Sequence, residues 1–88
     1  MASSRAHARN VSTEDVEGAI VFDGVGKKIG KIDHLVIEKM TGRVLYAVVN
    51  VMGFLGLGHS HRQILWAALH YDTRLNGFRA DLRQTYPN

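Results

Sequence analysis

The histidines are the residues whose types and spacing come closest to a chemical site. His59 and His61 flank Ser60, and in an extended strand the two imidazoles would share one face while the serine lies on the other. A catalytic triad needs the serine within hydrogen-bonding reach of an imidazole, so this order does not suit nucleophilic catalysis. Zinc takes about four ligands, the chain has no cysteine, and the sequence does not show whether His34 and His70 join the pair. We expect a non-catalytic protein with no metal and no cofactor.

A glycine-rich segment at 53–58 has the spacing G-x-x-G-x-G. In a phosphate-binding loop such a segment carries Lys and Ser or Thr and leads into a helix, whereas here those residues are missing and a strand is predicted to follow. Three large apolar residues, Phe54, Leu55 and Leu57, lie between the glycines. Because loops normally run over the surface, we predict that these three residues form an interface between protein chains. The alternative is a loop that folds back and plugs the end of a barrel.

The densest basic segment contains Lys27, Lys28 and Lys31, and it lies beside Asp23 and Asp33. Nucleic-acid-binding domains cluster Lys and Arg on one face, and the sequence, with a net charge of +3, shows no such cluster. We interpret the segment as a solvated turn. A polyanion contact through the three lysines is the alternative.

The elements that position these residues are predicted to be strands, at 19–22, 29–39, 44–52, 61–65 and 78–82, with a further strand beginning at 70–72. In 44–52 one set of alternate residues is wholly apolar, which predicts that Val44, Tyr46, Val48 and Asn50 face away from the core. The residues predicted to form the structural core are Leu45, Val49, Val51 and Trp66.

Two local signals shape these strands. The apolar positions of 29–39 do not keep a period of two, which predicts a bulge or bend near Gly30 or Asp33. Asn76-Gly77 predicts a hairpin. The fold class is all-β, a small antiparallel β-barrel of about five to six strands.

The length of 88 residues allows one domain. We predict a disordered basic tail at 1–16, a domain at 17–82 and a C-terminal tail at 83–88, with Ser12 capping a short helical turn that has Asp15 at the capping-box position. No apolar run approaches the roughly 18 residues of a membrane span, so we expect a cytoplasmic protein. A domain this small, without cysteine, gains stability by burying surface between copies, which predicts a homo-oligomer.

The order of several short motifs resembles the PRC-barrel family over about residues 17–82. These motifs are 27–33, 41–44, 46–49, 53–58, Trp66, Leu69, Tyr71-Asp72 and Gly77-Phe78. The resemblance implies a fold like that of the cytoplasmic domain of the photosynthetic reaction-centre H subunit and the C-terminal domain of the ribosome maturation factor. It also implies that the domain docks on partners and does not catalyse. Leu65 replaces a proline that is frequent in the family, and Ala19 and Ile20 lie where the ribosome factor has paired tyrosines.

The resulting hypothesis is a protein-binding or assembly module that associates with itself or with an unidentified protein partner through Phe54, Leu55 and Leu57. The alternative is an RNA- or ribosome-associated accessory factor that binds nucleic acid through Lys27, Lys28, Lys31 and the arginine-bearing tail.

Overall fold

The computed structural model describes residues 10–52 and 59–83. A short helix α1 precedes six strands, and one turn of 3-10 helix separates the fourth strand from the fifth. The elements in chain order are α1 Thr13–Val16, β1 Ile20–Phe22, β2 Lys28–Ile37, β3 Val44–Met52, β4 His59–Leu65, the 3-10 helix Trp66–Ala68, β5 Leu69–Asp72 and β6 Gly77–Ala80.

The six strands form one sheet in the order β4-β3-β2-β1-β6-β5. The prediction of an all-β fold with five to six strands is confirmed. Four of the neighbouring pairs are antiparallel, but β1 and β6 run parallel. The first and last strands therefore meet in the middle of the sheet, and β4 and β5 are its edges.

Two bulges interrupt the pairing of β2 with β3. Ile32 pairs with Val49 and His34 with Val48, so Asp33 is an extra residue on β2. This confirms the predicted bulge. Val36 pairs with Tyr46 and Ile37 with Val44, so Leu45 is the extra residue on β3.

The second bulge corrects one predicted core position. Leu45 is 37% exposed and is absent from the buried cluster, because a bulged residue leaves the regular alternation of the strand. Val49 is fully buried, as expected, while Val51 and Trp66 are half-buried and pack against the core. The Trp66 ring lies 5.6 Å from that of Phe78, centroid to centroid. The described core consists of Val16, Val21, Ile32, Ala47, Val49, Ile64, Ala68, Leu69, Phe78 and Ala80.

The start of the folded domain also differs from the predicted boundary at residue 17. Thr13–Val16 is helical, the Ser12 side chain accepts a hydrogen bond from the Asp15 amide as an N-cap, and Val16 is only 3% exposed. The sequence predicts the capping interaction but not the burial of Val16. Residues 13–16 therefore belong to the folded domain.

The β5–β6 hairpin forms at the predicted Asn76-Gly77 signal, but the two residues have different roles. Asn76 has a φ of 56° in the turn, and Gly77 is already paired with Asp72 in the ladder. A Cβ at Gly77 would lie 2.5 Å from the Ile20 carbonyl oxygen. Glycine is therefore needed at 77 for close approach of the parallel strand β1 and not for the turn itself.

Gly30 is the tightest glycine position that the structure describes, and it supplies a stability test. It pairs with Val21 on one side and Val51 on the other, and a Cβ there would collide with the Asn50 carbonyl oxygen. We expect Gly30→Ala to lower the free energy of unfolding by about 2–3 kcal/mol, since backbone atoms must move to admit the methyl group.

The matched control is Gly24→Ala, where an added Cβ meets nothing within 4 Å. Urea denaturation of both variants is the measurement. Equal midpoints for Gly30→Ala and Gly24→Ala would contradict the close approach of β2 and β3.

Candidate functional site

The sheet has a core face and an opposite face, which we term the outer face. Cross-strand partners project their side chains to the same side of a sheet, with Cβ atoms roughly 5 Å apart. The buried residues Val21, Ile32, Val49 and Phe78 mark the core face. The residues that alternate with them lie on the outer face.

One end of the outer face carries a group of basic side chains, which we term the basic band. Two rows of cross-strand partners build it: His61–Asn50–Lys31–Ile20 across β4 to β1, and Lys28–Phe22–Arg79–His70 across β2 to β5. Its members are Lys28, Lys31, His61, His70 and Arg79. All are exposed except the half-buried Arg79.

The Arg79 guanidinium is held by two acceptors. It donates to the Gly24 carbonyl oxygen at 2.6 Å and to the Asp72 carboxylate at 2.9 Å. The hydrogen bond from Arg79 holds the pKa of Asp72 below its usual value of 3.8, with further help from the Arg74 and Leu75 amides. Lys28 and Lys31, by contrast, form no ion pair with any residue that the structure describes.

The rest of the outer face, across β2, β3 and β4, is mostly apolar. Successive rows there are His34–Val48–Gln63 and Val36–Tyr46–Leu65. We term the apolar members the apolar patch: Val36, Tyr46, Val48 and Leu65. All four are half-buried, and Leu65 also packs against the core. Ile37 follows Val36 directly along β2, so it and its partner Val44 lie on the opposite face.

Asn50 lies where the basic band meets the apolar patch, between Lys31 and His61 in one row and two residues from Val48 along β3. Its Oδ1 atom is buried without a hydrogen-bond partner among the described residues. Asn50 is therefore the polar residue at which the two surfaces meet.

A shallow cleft of about 390 Å³ adjoins the basic band at the β5–β6 side of the sheet. Gly24, His70, Arg79 and residues 80–83 line it. Both arginines in this lining already bind carboxylates, Arg79 that of Asp72 and Arg83 that of Asp81. The cleft consequently offers no unpaired guanidinium to a ligand.

The comparisons with known proteins agree with this architecture. The family model described as the PRC-barrel domain matches residues 9–82. The chain belongs to the PRC-barrel family. No protein of curated function matches it in sequence.

Among 25 matching chains of known structure is the putative 16S ribosomal RNA processing protein RimM of Pseudomonas aeruginosa, with a TM-score of 0.52 and 22% identity. The match covers 88% of this PRC-barrel chain and 46% of the RimM chain, so this chain spans less than half of the length of that protein. The likeness supports the fold.

The structure brings together some of the residues that the sequence singled out. Lys27, Lys28 and Lys31 are exposed. The strand register places Arg79, His61 and His70 in the same two rows as Lys28 and Lys31. Phe54, Leu55 and Leu57 lie outside the described residues, so their predicted interface stays a prediction.

Ser60 pairs with Val51 and His61 with Asn50, which places the serine and the imidazole on opposite faces as expected. Within 10–52 and 59–83, no three His, Asp or Glu residues are grouped to hold a metal. No helix in these ranges is long and apolar enough to cross a membrane.

The continuity of the outer face is not evident from the sequence. The alternation in β3 predicts that Val44, Tyr46, Val48 and Asn50 face away from the core. The pairing confirms this for the last three, but the bulge at Leu45 places Val44 on the opposite face, with Ile37. The sequence does not show that Val36 of β2 and Leu65 of β4 join the outer face. The available signal was the break in the period of β2, since a bulge at Asp33 moves Val36 to the same face as Tyr46.

The Asp72–Arg79 pair leads to a test of pH dependence. A carboxyl whose folded pKa lies below 3.8 stabilises the fold above its unfolded pKa, and this contribution is lost as the pH falls through the folded pKa. We expect Asp72→Asn to flatten the decline in unfolding free energy below about pH 4. Arg79→Gln should do the same, because it removes the donor.

The measurement is urea unfolding of wild type and both variants from neutral pH into acid. If Asp72→Asn retains the wild-type slope below about pH 4, the depressed pKa of Asp72 is wrong.

Proposed function

We propose that this PRC-barrel is a non-catalytic protein-binding or assembly module that receives its partner on the outer face of β2, β3 and β4. The observation that supports the proposal most is the apolar patch, in which four apolar residues of three adjacent strands occupy one face. Contiguous apolar surface on a small domain is typical of protein–protein contact.

The energetics favour such use. Burial of apolar area contributes about 25 cal/mol per Å², and a stable interface buries roughly 800 Å² on each partner. A domain of 88 residues buries only about 60% of its unfolded surface by itself. A partner on the outer face would therefore add stability as well as affinity.

Self-association remains part of the proposal, with one constraint from the structure. β4 is an edge strand, and Arg62 pairs with the fully buried Val49, which places a cation on the core-face side of that edge. Charges that point inward on edge strands oppose edge-to-edge pairing. A homo-oligomer would accordingly use a face or the 53–58 segment, and not an extended β4–β4 sheet.

A second candidate is an RNA- or ribosome-associated accessory role, supported by the basic band and by the name of the structural neighbour, a putative 16S ribosomal RNA processing protein. Binding to a polyanion releases counterions, so its affinity would fall steeply as salt rises. Binding through the apolar patch would be much less sensitive. A salt titration therefore separates RNA binding from binding through the apolar patch alone, and a cytoplasmic location is proposed for both functions.

Val48→Ser tests the protein-binding role. Val48 is half-buried near the middle of the outer face, and loss of its methyl groups should weaken partner binding about tenfold, on the order of one buried side chain. The measurement is quantitative capture of partners from the native host by immobilised wild type and variant, followed by mass spectrometry.

Val25→Ser is the matched control, since Val25 is 89% exposed in the β1–β2 turn. Circular dichroism melting verifies that both variants fold. If both variants capture the partners as well as the wild type does, docking on the outer face is refuted.

A further inference from the structure

We infer that the partner segment bound on the outer face is acidic and amphipathic, with carboxylates that meet the basic band and apolar side chains that cover the apolar patch. This inference rests on the proposed protein-binding function. It adds the chemistry of the partner segment and states which end of that segment is acidic and which end is apolar.

The two surfaces are continuous. Lys31 and Asn50 are cross-strand partners, and Val48 lies two residues from Asn50 along β3, which corresponds to about 7 Å along a strand. Ile20 and Phe22 stand beside the two lysines in their rows. A single short segment lying across β2 and β3 would therefore contact cations at one end and aliphatic groups at the other.

The two lysines of the basic band lack a carboxylate partner. Three acidic residues near them are engaged elsewhere: Asp23 accepts from the Val25 and Lys27 amides, Asp33 contacts His34 at 2.6 Å, and Asp72 binds Arg79 at 2.9 Å. Lys28 and Lys31 have no ion-pair partner in the ranges that the structure describes. Complementary charge of this kind sets the orientation and specificity of a contact more than its affinity. Carboxylates on the partner supply the missing complement.

A protein segment fits the surface better than RNA. The patch is mainly aliphatic, and the outer face carries two half-buried Phe or Tyr side chains among the described residues, Tyr46 in the patch and Phe22 in the basic band. Proteins that bind single strands use several aromatic platforms beside a basic groove. A phosphate backbone would also leave the valines and Leu65 uncovered, whereas an amphipathic peptide buries them.

The experiment uses fluorescence anisotropy with three labelled probes and the full chain. The first is a peptide of about twelve residues that is rich in glutamate in one half and in leucine in the other. The second replaces glutamate with lysine, and the third is a polyuridine oligonucleotide of similar length. We expect the acidic peptide to bind, the basic peptide not to bind, and the oligonucleotide to bind more weakly than the acidic peptide.

Variants then assign the contacts. The double charge reversal Lys28→Glu/Lys31→Glu should weaken the acidic peptide about tenfold or more, as expected for the removal of charge complementarity. Val48→Ser should weaken it by a similar factor. The matched control is Arg74→Glu, because Arg74 is an exposed cation of the β5–β6 turn at the far edge of the sheet from β4. It should leave the affinity nearly unchanged.

Three outcomes would overturn the inference. Equal binding of the acidic and basic peptides, or no effect of the double reversal, shows that charge does not select the partner. Tighter binding of polyuridine, insensitive to Val48→Ser, assigns the face to RNA. Sedimentation in which wild type is a dimer and Val48→Ser is a monomer makes a second copy of this chain the occupant.

The inference fails separately from the proposed function. If host partners depend on Val48 but are unaffected by the lysine reversals, the module binds protein through its outer face and only the acidic chemistry is wrong. If capture is independent of Val48, the docking face itself is wrong.

Discussion

The close approach of β2 and β3 at Gly30 is the contact on which the sheet depends. Gly30 pairs with both neighbouring strands, and the space where a Cβ would sit is filled by the Asn50 backbone. β2 therefore approaches β3 closely at the residue through which it also pairs with β1. Because Lys31 follows Gly30 directly, this approach also sets which residues of β3 and β4 share its row. The position of the basic band is a consequence of a packing requirement in the backbone.

The bulges divide the long strands into segments with different surroundings. β2 and β3 are ten and nine residues long. With regular alternation over that length, the same alternate set of residues would stay on one face of the sheet from end to end. The extra residues Asp33 and Leu45 interrupt it. Bulged strands bend and twist more strongly, which lets the sheet curve around its core while the opposite surface stays continuous. At the first bulge the Asp33 carboxylate contacts the His34 imidazole. At the second bulge Leu45 is exposed and does not join the core.

The likeness to RimM concerns the fold, at 22% identity and over less than half of that chain. One fold can host different functions, which reside in the sites built on it. In this chain the outer face combines lysines that lack an ion-pair partner among the described residues with half-buried aliphatic groups. Asn50 lies at their junction.

The sequence by itself determined the all-β class, the strands, the bulge at Asp33, the cap at Ser12 and the burial of Val49, because these follow from local periodicity and side-chain chemistry. The exposure of Leu45 could not be predicted in this way, because the bulge that exposes this residue depends on how β3 pairs with β2. The same limit applies to Gly77, whose need for glycine comes from β1, far earlier in the chain. Likewise, Lys31 and His61 are far apart in sequence, and only the register of three strands places them in one row. Tertiary structure decided the candidate site, since a binding face is built from residues of several strands and its composition is set by their pairing.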